Sequence, residues 1–109
     1  MQVIWLPQAL TRLMQLYEYG KFHFGQKSAE KLMNGIRFDS ERLVAFPYLG
    51  SLEPRLSHLH LPYRSLVVHN HYKLIYRVSE AEDTVYVVAL WDTRRNPQDM
   101  DADLSDDRE

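Results

Sequence analysis

Residues 63–95 read YRSLVVHNHYKLIYRVSEAEDTVYVVALWDTRR, and this stretch decides the fold. It contains three segments rich in valine, isoleucine, leucine and tyrosine, a composition typical of strands: 63–69, 72–79 and 84–91. Short polar connections, at 69–71 and 79–83, separate the segments. Because strands joined by so few residues must run in opposite directions, the pattern predicts an antiparallel three-stranded meander.

A strand and an amphipathic helix are predicted at the amino-terminal end. Gln2–Trp5 has the β-branched and aromatic content of a short strand, and Pro7 suits the first turn of a helix. Apolar residues then recur at intervals of three and four, which predicts a helix with one apolar face. This helix should continue to about Phe22 or Phe24, with Gly25 at its end. The apolar residues that define its face are Leu10, Leu13, Met14 and Tyr17.

A second helix is predicted between Ser28, a candidate N-cap, and Pro47, which cannot continue a helix. Gly35 lies in its middle, where glycine costs about 1 kcal/mol relative to alanine. Pro47 to Pro62 is punctuated by glycine and proline and is expected to be irregular. Together these elements predict an α+β fold of order β-α-α-β-β-β, with a two-helix hairpin packed on one face of an antiparallel sheet.

The two-residue turn between His69 and Tyr72 sets the predicted register of the meander. Pairing these two residues places Arg64, Lys73 and Arg77 on one face of the sheet. That face is expected to be open, where like charges repel each other unless an anion binds. A shift of one residue would move Arg64 to the face opposite Lys73. The helix-facing side is assigned to Tyr63, Ser65, Val67, Tyr72, Leu74, Tyr76 and Val78.

The formal net charge of −2 combines two regions of opposite sign. Residues 99–109 contain six acidic residues and one arginine, a net charge of −5, whereas residues 1–98 carry 12 basic and 9 acidic residues, a net charge of +3. We therefore expect a mildly basic domain over 1–98 and an acidic, disordered tail over 99–109. The alternative is a tail that folds back over Lys73, Arg94 and Arg95 as an electrostatic lid.

Several classes of protein are disfavoured by the composition. The chain has no cysteine, so a packed apolar core must stabilise it, which suits a reducing cytoplasm. The apolar run 85–91 is far shorter than the roughly 20 residues that cross a bilayer. The first residues lack the charged start and small-residue cleavage site of a secretory signal. We therefore expect a cytoplasmic protein with no membrane partner.

One end of the meander is expected to collect basic groups, because the third strand returns antiparallel to the start of the second. Guanidinium groups bind phosphates bidentately and aromatic rings stack on bases, so such a cluster suits single-stranded RNA. Alternatively, these cations are solvated or paired with carboxylates such as Glu53 and Asp92. The groups concerned are His69, His71, Lys73, Arg94 and Arg95.

Two pairs of histidines have a spacing that could suggest a metal site: His58 with His60, and His69 with His71. With no cysteine and no suitably spaced carboxylate, they are interpreted as ordinary surface histidines. No metal and no other cofactor is expected. The large aromatic residues of the strands, Trp91 among them, are assigned to the core.

Four motifs along the chain occur in the order known from one family of small proteins. Residues 63–78 combine an arginine strand, a tight turn and a Tyr-Lys-x-x-Tyr-Arg-Val strand; the hydrophobic strand 85–91 follows, and Arg-Arg-Asn-Pro closes at 94–97. Leu-Val-Ala-Phe-Pro at 43–47 ends the second helix. This arrangement resembles the RelE/ParE toxin superfamily over residues 1 to about 97. The resemblance implies a growth-inhibiting toxin of a type II toxin–antitoxin (plasmid stabilisation) module, bound by a cognate antitoxin as a dimer or hetero-oligomer.

The resemblance implies one of two activities. RelE-like members cut mRNA in the ribosomal A site, and their basic residues match Arg64, Lys73 and Arg94, which would orient the phosphate, activate the 2′-hydroxyl and stabilise the developing charge. ParE-like members bind and poison DNA gyrase. The late tyrosine or His-Tyr pair of the nuclease branch is absent from residues 96–100, which read Asn-Pro-Gln-Asp-Met. His69 or His71 would then have to carry the proton.

Gyrase binding is therefore the preferred hypothesis. The charge of +3 on residues 1–98 is modest for entry into a site lined by ribosomal RNA, which favours the same branch. Two alternatives remain: a ribosome-dependent mRNA endonuclease, and a non-toxic family member that binds an antitoxin or has a structural role. The predicted target-binding surface consists of Arg64, Lys73, Arg77, Arg94 and Arg95.

Overall fold

The predicted order of helices and strands is confirmed by a computed structural model, which describes residues 1–69, 71–104 and 107. The first half consists of β1 (Gln2–Trp5), α1 (Pro7–Phe24) and α2 (Gln26–Ala45). The second half consists of β2 (Ser51–Leu52), a 3₁₀ helix (Pro54–Leu56), β3 (Arg64–His69), β4 (Tyr72–Ser79), β5 (Thr84–Asp92) and a C-terminal 3₁₀ helix (Pro97–Leu104). The fold class is α+β, as predicted.

The strands form one five-stranded sheet in the order β1-β5-β4-β3-β2. The meander β3-β4-β5 is antiparallel, as predicted. Strand β1 pairs with β5 in parallel, so the sheet is mixed and not purely antiparallel. Strand β2 adds two residues at the other edge, inside the segment that was expected to be irregular.

The two helices form a hairpin with a single glycine between them. Gly25 has φ of 91°, a conformation that favours glycine, and its N–H donates to the carbonyl of Lys21. Helix α2 starts immediately afterwards, two residues before the predicted cap at Ser28, and runs through Gly35 without a break. It ends two residues before Pro47. None of the described helices is long and apolar enough to cross a membrane.

Hydrophobic cores lie on both faces of the sheet. The first, between sheet and helices, includes Ile36 and Leu43 of α2 and Tyr76 of β4. The second lies on the opposite face and is built around Trp91, which is buried as expected of a core aromatic. The face that was expected to be open is therefore covered. The residues of this second core are Leu56, Tyr63, Ile75, Val88, Ala89, Trp91, Met100 and Leu104.

The C-terminal segment provides part of that cover, which corrects the expectation of a disordered tail from residue 99. Residues 99–104 belong to the 3₁₀ helix, and Met100 and Leu104 are 1% and 0% exposed. These two apolar side chains interrupt the acidic run and bury enough surface to hold the segment on the sheet. Of the predicted tail, residues 105, 106, 108 and 109 lie outside the described residues.

The predicted register of β3 against β4 is correct only at the turn. His69 pairs with Tyr72, but a β-bulge between Val67 and His69 shifts all earlier pairs by one residue, so that Arg64 lies opposite Tyr76. The bulge allows Val68, which is 8% exposed, to join the core beneath the helices. Consequently Arg64, Leu66 and Val68 lie on the helix side, and the assignment of Tyr63, Ser65 and Val67 to that side is wrong.

Candidate functional site

Arg64, the first predicted catalytic cation, lies on the helix side of the sheet near the short strand β2. Its Nη1 donates to the carbonyl oxygen of Gly50 at 2.7 Å, and its guanidinium carbon lies 4.9 Å from the centre of the Tyr48 ring. The N–H of Gly50 donates to the hydroxyl of buried Tyr76 at 2.8 Å, and burial raises the pKa of Tyr76. Arg64 is thus engaged by the loop 48–50 and is not on the same face as Lys73.

Lys73 lies on the second face of the sheet and pairs with Glu53. The side chain of Glu53 is only 2% exposed and also accepts a hydrogen bond from the backbone N–H of Arg55 at 3.0 Å, which caps the 3₁₀ helix 54–56. Burial raises the pKa of Glu53, but the hydrogen bonds from Lys73 and Arg55 outweigh it and hold the pKa below its ordinary value. Lys73 is therefore paired with a carboxylate, which is the alternative that the sequence left open.

Arg77 also lies on the second face, where it holds Asp107. Its Nε and Nη2 donate to the two carboxylate oxygens of Asp107 at 2.8–3.0 Å, and its guanidinium carbon lies 4.5 Å from the centre of the Tyr86 ring. The hydrogen bonds to Asp107 raise the pKa of Arg77. This cation is therefore neutralised by the C-terminal segment.

Arg94 and Arg95 follow β5 and are paired differently. Arg94 donates from Nε and Nη2 to the carboxylate of Asp92 at 3.0 and 2.8 Å, and these hydrogen bonds lower the pKa of Asp92. Its side chain is still 60% exposed. Arg95 bonds Asp103 at 2.9 Å and lies 4.4 Å from the centre of the Trp91 ring. Of the predicted lid contacts, the tail therefore makes the one to Arg95, whereas Lys73 and Arg94 pair with carboxylates of the body.

A cleft of about 1040 Å³ opens between the helical hairpin and the end of the sheet. It brings together four of the five groups expected to gather there, namely His69, His71, Arg94 and Arg95, whereas Lys73 is absent because it points to the other face. Two cations of the helices, Arg12 and Lys31, line the opposite side. The remaining lining is largely apolar and includes Leu16, Tyr19, Phe24, Leu32, Tyr72 and Leu90.

A sequence model of the ParE toxin of the type II toxin–antitoxin system parDE matches residues 3–97. The chain belongs to the ParE toxin family. Among solved structures, the fold is similar to a chain of a chromosomal ParDE toxin–antitoxin system from P. aeruginosa, with a TM-score of 0.66 and 20% identity. The match covers 84% of this chain and 95% of that one. No curated protein matches the sequence.

The three cations that resembled a nuclease site do not form one cluster in this ParE-family chain. Arg64 lies opposite Tyr76, and Arg94 follows Asp92, which lies opposite Tyr72. Tyr72 and Tyr76 are four positions apart along β4, a distance of about 13 Å at 3.3 Å per residue. Lys73 lies between these positions but on the opposite face.

The histidines that were considered as metal ligands have other neighbours in the structure. His58 contacts Asp101 of the C-terminal 3₁₀ helix, with 2.7 Å between Nε2 and Oδ2, and His69 and His71 line the cleft. Within residues 1–69, 71–104 and 107, no three histidine or acidic side chains are arranged to hold a metal ion.

Several cleft residues were missed by the sequence interpretation. Arg12 and Lys31 lie on the exposed sides of α1 and α2, where a cation is too common to indicate a site. The exposed aromatic residues Tyr19 and Phe24 were a better indication of a binding surface, because they lie outside the apolar face of α1. Their ring centres lie 6.4 Å apart, and Tyr19 also contacts the ring of His23. Exposed aromatics at the end of an amphipathic helix indicate a surface that is available for contact.

Proposed function

We propose that this chain is the toxin of a type II toxin–antitoxin pair and that it inhibits growth by binding DNA gyrase, not by cutting mRNA. Membership of the ParE family supports the toxin and its pairing with an antitoxin. The separation of Arg64 from Lys73 and Arg94 is the observation that supports binding over cleavage.

Cleavage of RNA through the 2′-hydroxyl needs several cationic groups at one phosphate. Each must come within about 3 Å of a phosphate oxygen, because charge stabilisation depends on short, aligned hydrogen bonds. Arg64 and Lys73 lie on opposite faces of the sheet, so a phosphate that reaches one is screened from the other by the backbone. The fold therefore gives little support to a shared catalytic site.

The charge state of these cations argues in the same direction. Lys73 is neutralised by Glu53 and Arg94 by Asp92, while Arg64 donates to a backbone carbonyl. A cation already paired with a carboxylate offers little net charge to a phosphorane. An enzyme using these residues would first have to break two ion pairs.

The cleft is the surface best suited to a macromolecular target. Arg12 and Lys31 have no ion-pair partner among the described residues, whereas Arg94 lines the cleft together with its ion-pair partner Asp92. The floor between them is largely apolar, and an apolar centre with a polar rim is typical of protein interfaces. Of the predicted target-binding residues, Arg94 and Arg95 line the cleft as members of ion pairs, and the proposal assigns the unpaired positive charge of the cleft to Arg12 and Lys31.

The proposal is tested with purified DNA gyrase, relaxed plasmid and ATP. Wild-type protein should block supercoiling and accumulate gyrase–DNA cleavage complexes, and the double variant R12A/K31A should weaken inhibition by about tenfold or more. R37A/R55A is the matched control, because it removes two exposed cations outside the cleft and should retain inhibition.

Two other outcomes would contradict gyrase binding. Unimpaired supercoiling together with codon-linked cuts in translated mRNA, lost in R94A, would favour the endonuclease. Neither effect, in a protein that still binds the product of a neighbouring antitoxin reading frame, would indicate a non-toxic family member.

A further inference from the structure

The carboxylate of Asp107 is enclosed by three side chains on the second face of the sheet. Arg77 holds both of its oxygens with contacts of 2.8–3.0 Å, and the Tyr63 hydroxyl donates to Oδ2 at 2.6 Å. The Tyr86 ring lies against the guanidinium, with its centre 4.5 Å from the guanidinium carbon. The Asp107 side chain is only 4% exposed.

The three residues around Asp107 are anchored by the sheet and by the second hydrophobic core. Arg77 and Tyr86 are directly opposite each other in the β4–β5 pair. Tyr63 precedes β3, is 3% exposed and belongs to the second hydrophobic core. The guanidinium of Arg77 offers two parallel N–H donors, and the hydroxyl of Tyr63 offers a third donor beside the Tyr86 ring. This set of donors suits a small oxyanion that presents two oxygens to the guanidinium.

Asp107 itself is supplied by the segment that follows the C-terminal 3₁₀ helix. The last apolar residue packed in the core is Leu104, whose carbonyl accepts a hydrogen bond from the N–H of Asp107 at 2.9 Å. The carboxylate of Asp107 accepts its hydrogen bonds from Arg77 and Tyr63, while Tyr86 contacts Arg77 through its ring. The carboxylate is thus a tethered ligand on a preformed site.

We propose that Arg77, Tyr63 and Tyr86 form an oxyanion-binding site, and that Asp107 occupies it as an internal ligand in competition with carboxylate or phosphate groups from outside the chain. The site lies on the sheet face opposite the cleft, so the proposal does not depend on gyrase binding. A tethered ligand acts at an effective concentration in the millimolar range, so the wild-type site should be closed to external anions at lower concentrations.

A purely structural ion pair would show the same contacts, but it would respond differently to the removal of Asp107. In a structural pair, D107A leaves Arg77 destabilised and unresponsive to added anions. In a binding site, D107A leaves a vacancy that external oxyanions fill and thereby stabilise the fold.

The experiment measures thermal unfolding of full-length D107A against inorganic phosphate at constant ionic strength. We expect phosphate to raise the Tm of D107A in a saturable manner, with a Kd at least about tenfold lower than for wild type, because the internal competitor is gone. D99A is the matched control: it also removes one acidic charge from the C-terminal segment, at an exposed side chain, and should behave as wild type. The double variant D107A/R77M should lose the response.

A D107A response no larger than that of D99A, or one that persists in D107A/R77M, would overturn the proposal. If D107A does not fold, D107N retains the shape of the side chain with a weaker internal ligand, and the same comparison applies to it. A parallel titration with acetate distinguishes the sources of the anion: a response to both ions assigns the site to carboxylates as well, and a response to phosphate alone assigns it to phosphoryl groups.

Discussion

Replacing Gly50 by alanine should strongly destabilise the protein, because this glycine lies directly against β3. A Cβ atom at this position would lie 2.3 Å from the carbonyl oxygen of Ser65 and 3.0 Å from the hydroxyl of Tyr76. Since ordinary contacts begin near 3.5 Å, the loop would have to move by about 1 Å away from the backbone of β3. The clash cannot be relieved by a side-chain rotation, because the nearest atom belongs to the backbone.

That movement breaks two hydrogen bonds. The N–H of Gly50 donates to Tyr76 at 2.8 Å, and its carbonyl accepts from Arg64 at 2.7 Å. A neutral hydrogen bond contributes about 1 kcal/mol and one to a charged group about 2 kcal/mol. With a further 1 kcal/mol or so of overpacking strain, we expect G50A to lower the free energy of unfolding by about 4 kcal/mol.

The same substitution at Gly35 should have the opposite effect. No heavy atom lies within 4 Å of a Cβ atom built there, and the residue is inside α2. Alanine should therefore stabilise the helix by about 0.5–1 kcal/mol. Urea unfolding at neutral pH measures both variants on one scale, provided that the slope with denaturant is unchanged. A G50A variant within about 1 kcal/mol of wild type, or a destabilising G35A, would refute the reasoning.

Two further predictions concern the second face of the sheet. E53Q should lower the free energy of unfolding by about 2 kcal/mol at neutral pH, since it leaves Lys73 partly buried without a counter-ion. Because the pKa of Glu53 is lower in the folded state, the contribution of Glu53 to the free energy of unfolding is fully present above the pKa of the unfolded glutamate. That contribution is lost as the pH falls through the folded-state pKa. The free energies of unfolding of wild type and E53Q, measured between about pH 6 and pH 3, should therefore converge as the pH falls. L104A should cost about 2–5 kcal/mol, whereas D99A should stay within about 0.5 kcal/mol of wild type. Equal midpoints of unfolding for L104A and D99A would support the original prediction of a disordered tail.

Elements with a strong local pattern could be predicted from the sequence. The apolar stripes of α1 and α2, Pro7 at a first turn and the three apolar strands each depend on residues close together in the chain. The two-residue strand β2 has too few residues for any periodicity and exists only because β3 offers an edge. The parallel pairing of β1 with β5 likewise depends on contacts across the whole chain.

The candidate site was harder to predict, because a bulge of one residue decides which face carries Arg64. Alternation along β3 is ambiguous, since Leu66, Val67 and Val68 are three consecutive apolar residues. The tertiary structure resolves this ambiguity by burying Val68 and leaving Val67 70% exposed. A register that depends on such a choice cannot be obtained from local propensity.

The position of each cation in the fold explains why the predicted basic surface was misplaced. A cation on a strand lies beside a hydrophobic core, where an unpaired charge is costly, so Lys73 and Arg77 each face a carboxylate whose side chain is almost fully buried. A cation on the outer side of a helix carries no such cost, and Arg12 and Lys31 lack an ion-pair partner among the described residues. The separation into a body of +3 and a tail of −5 therefore does not describe the surface, because Asp103 and Asp107 of the tail neutralise arginines of the body. In this fold, the positive charge available to a partner at the cleft lies on the helices, at Arg12 and Lys31, and a search for its target should start from the cleft.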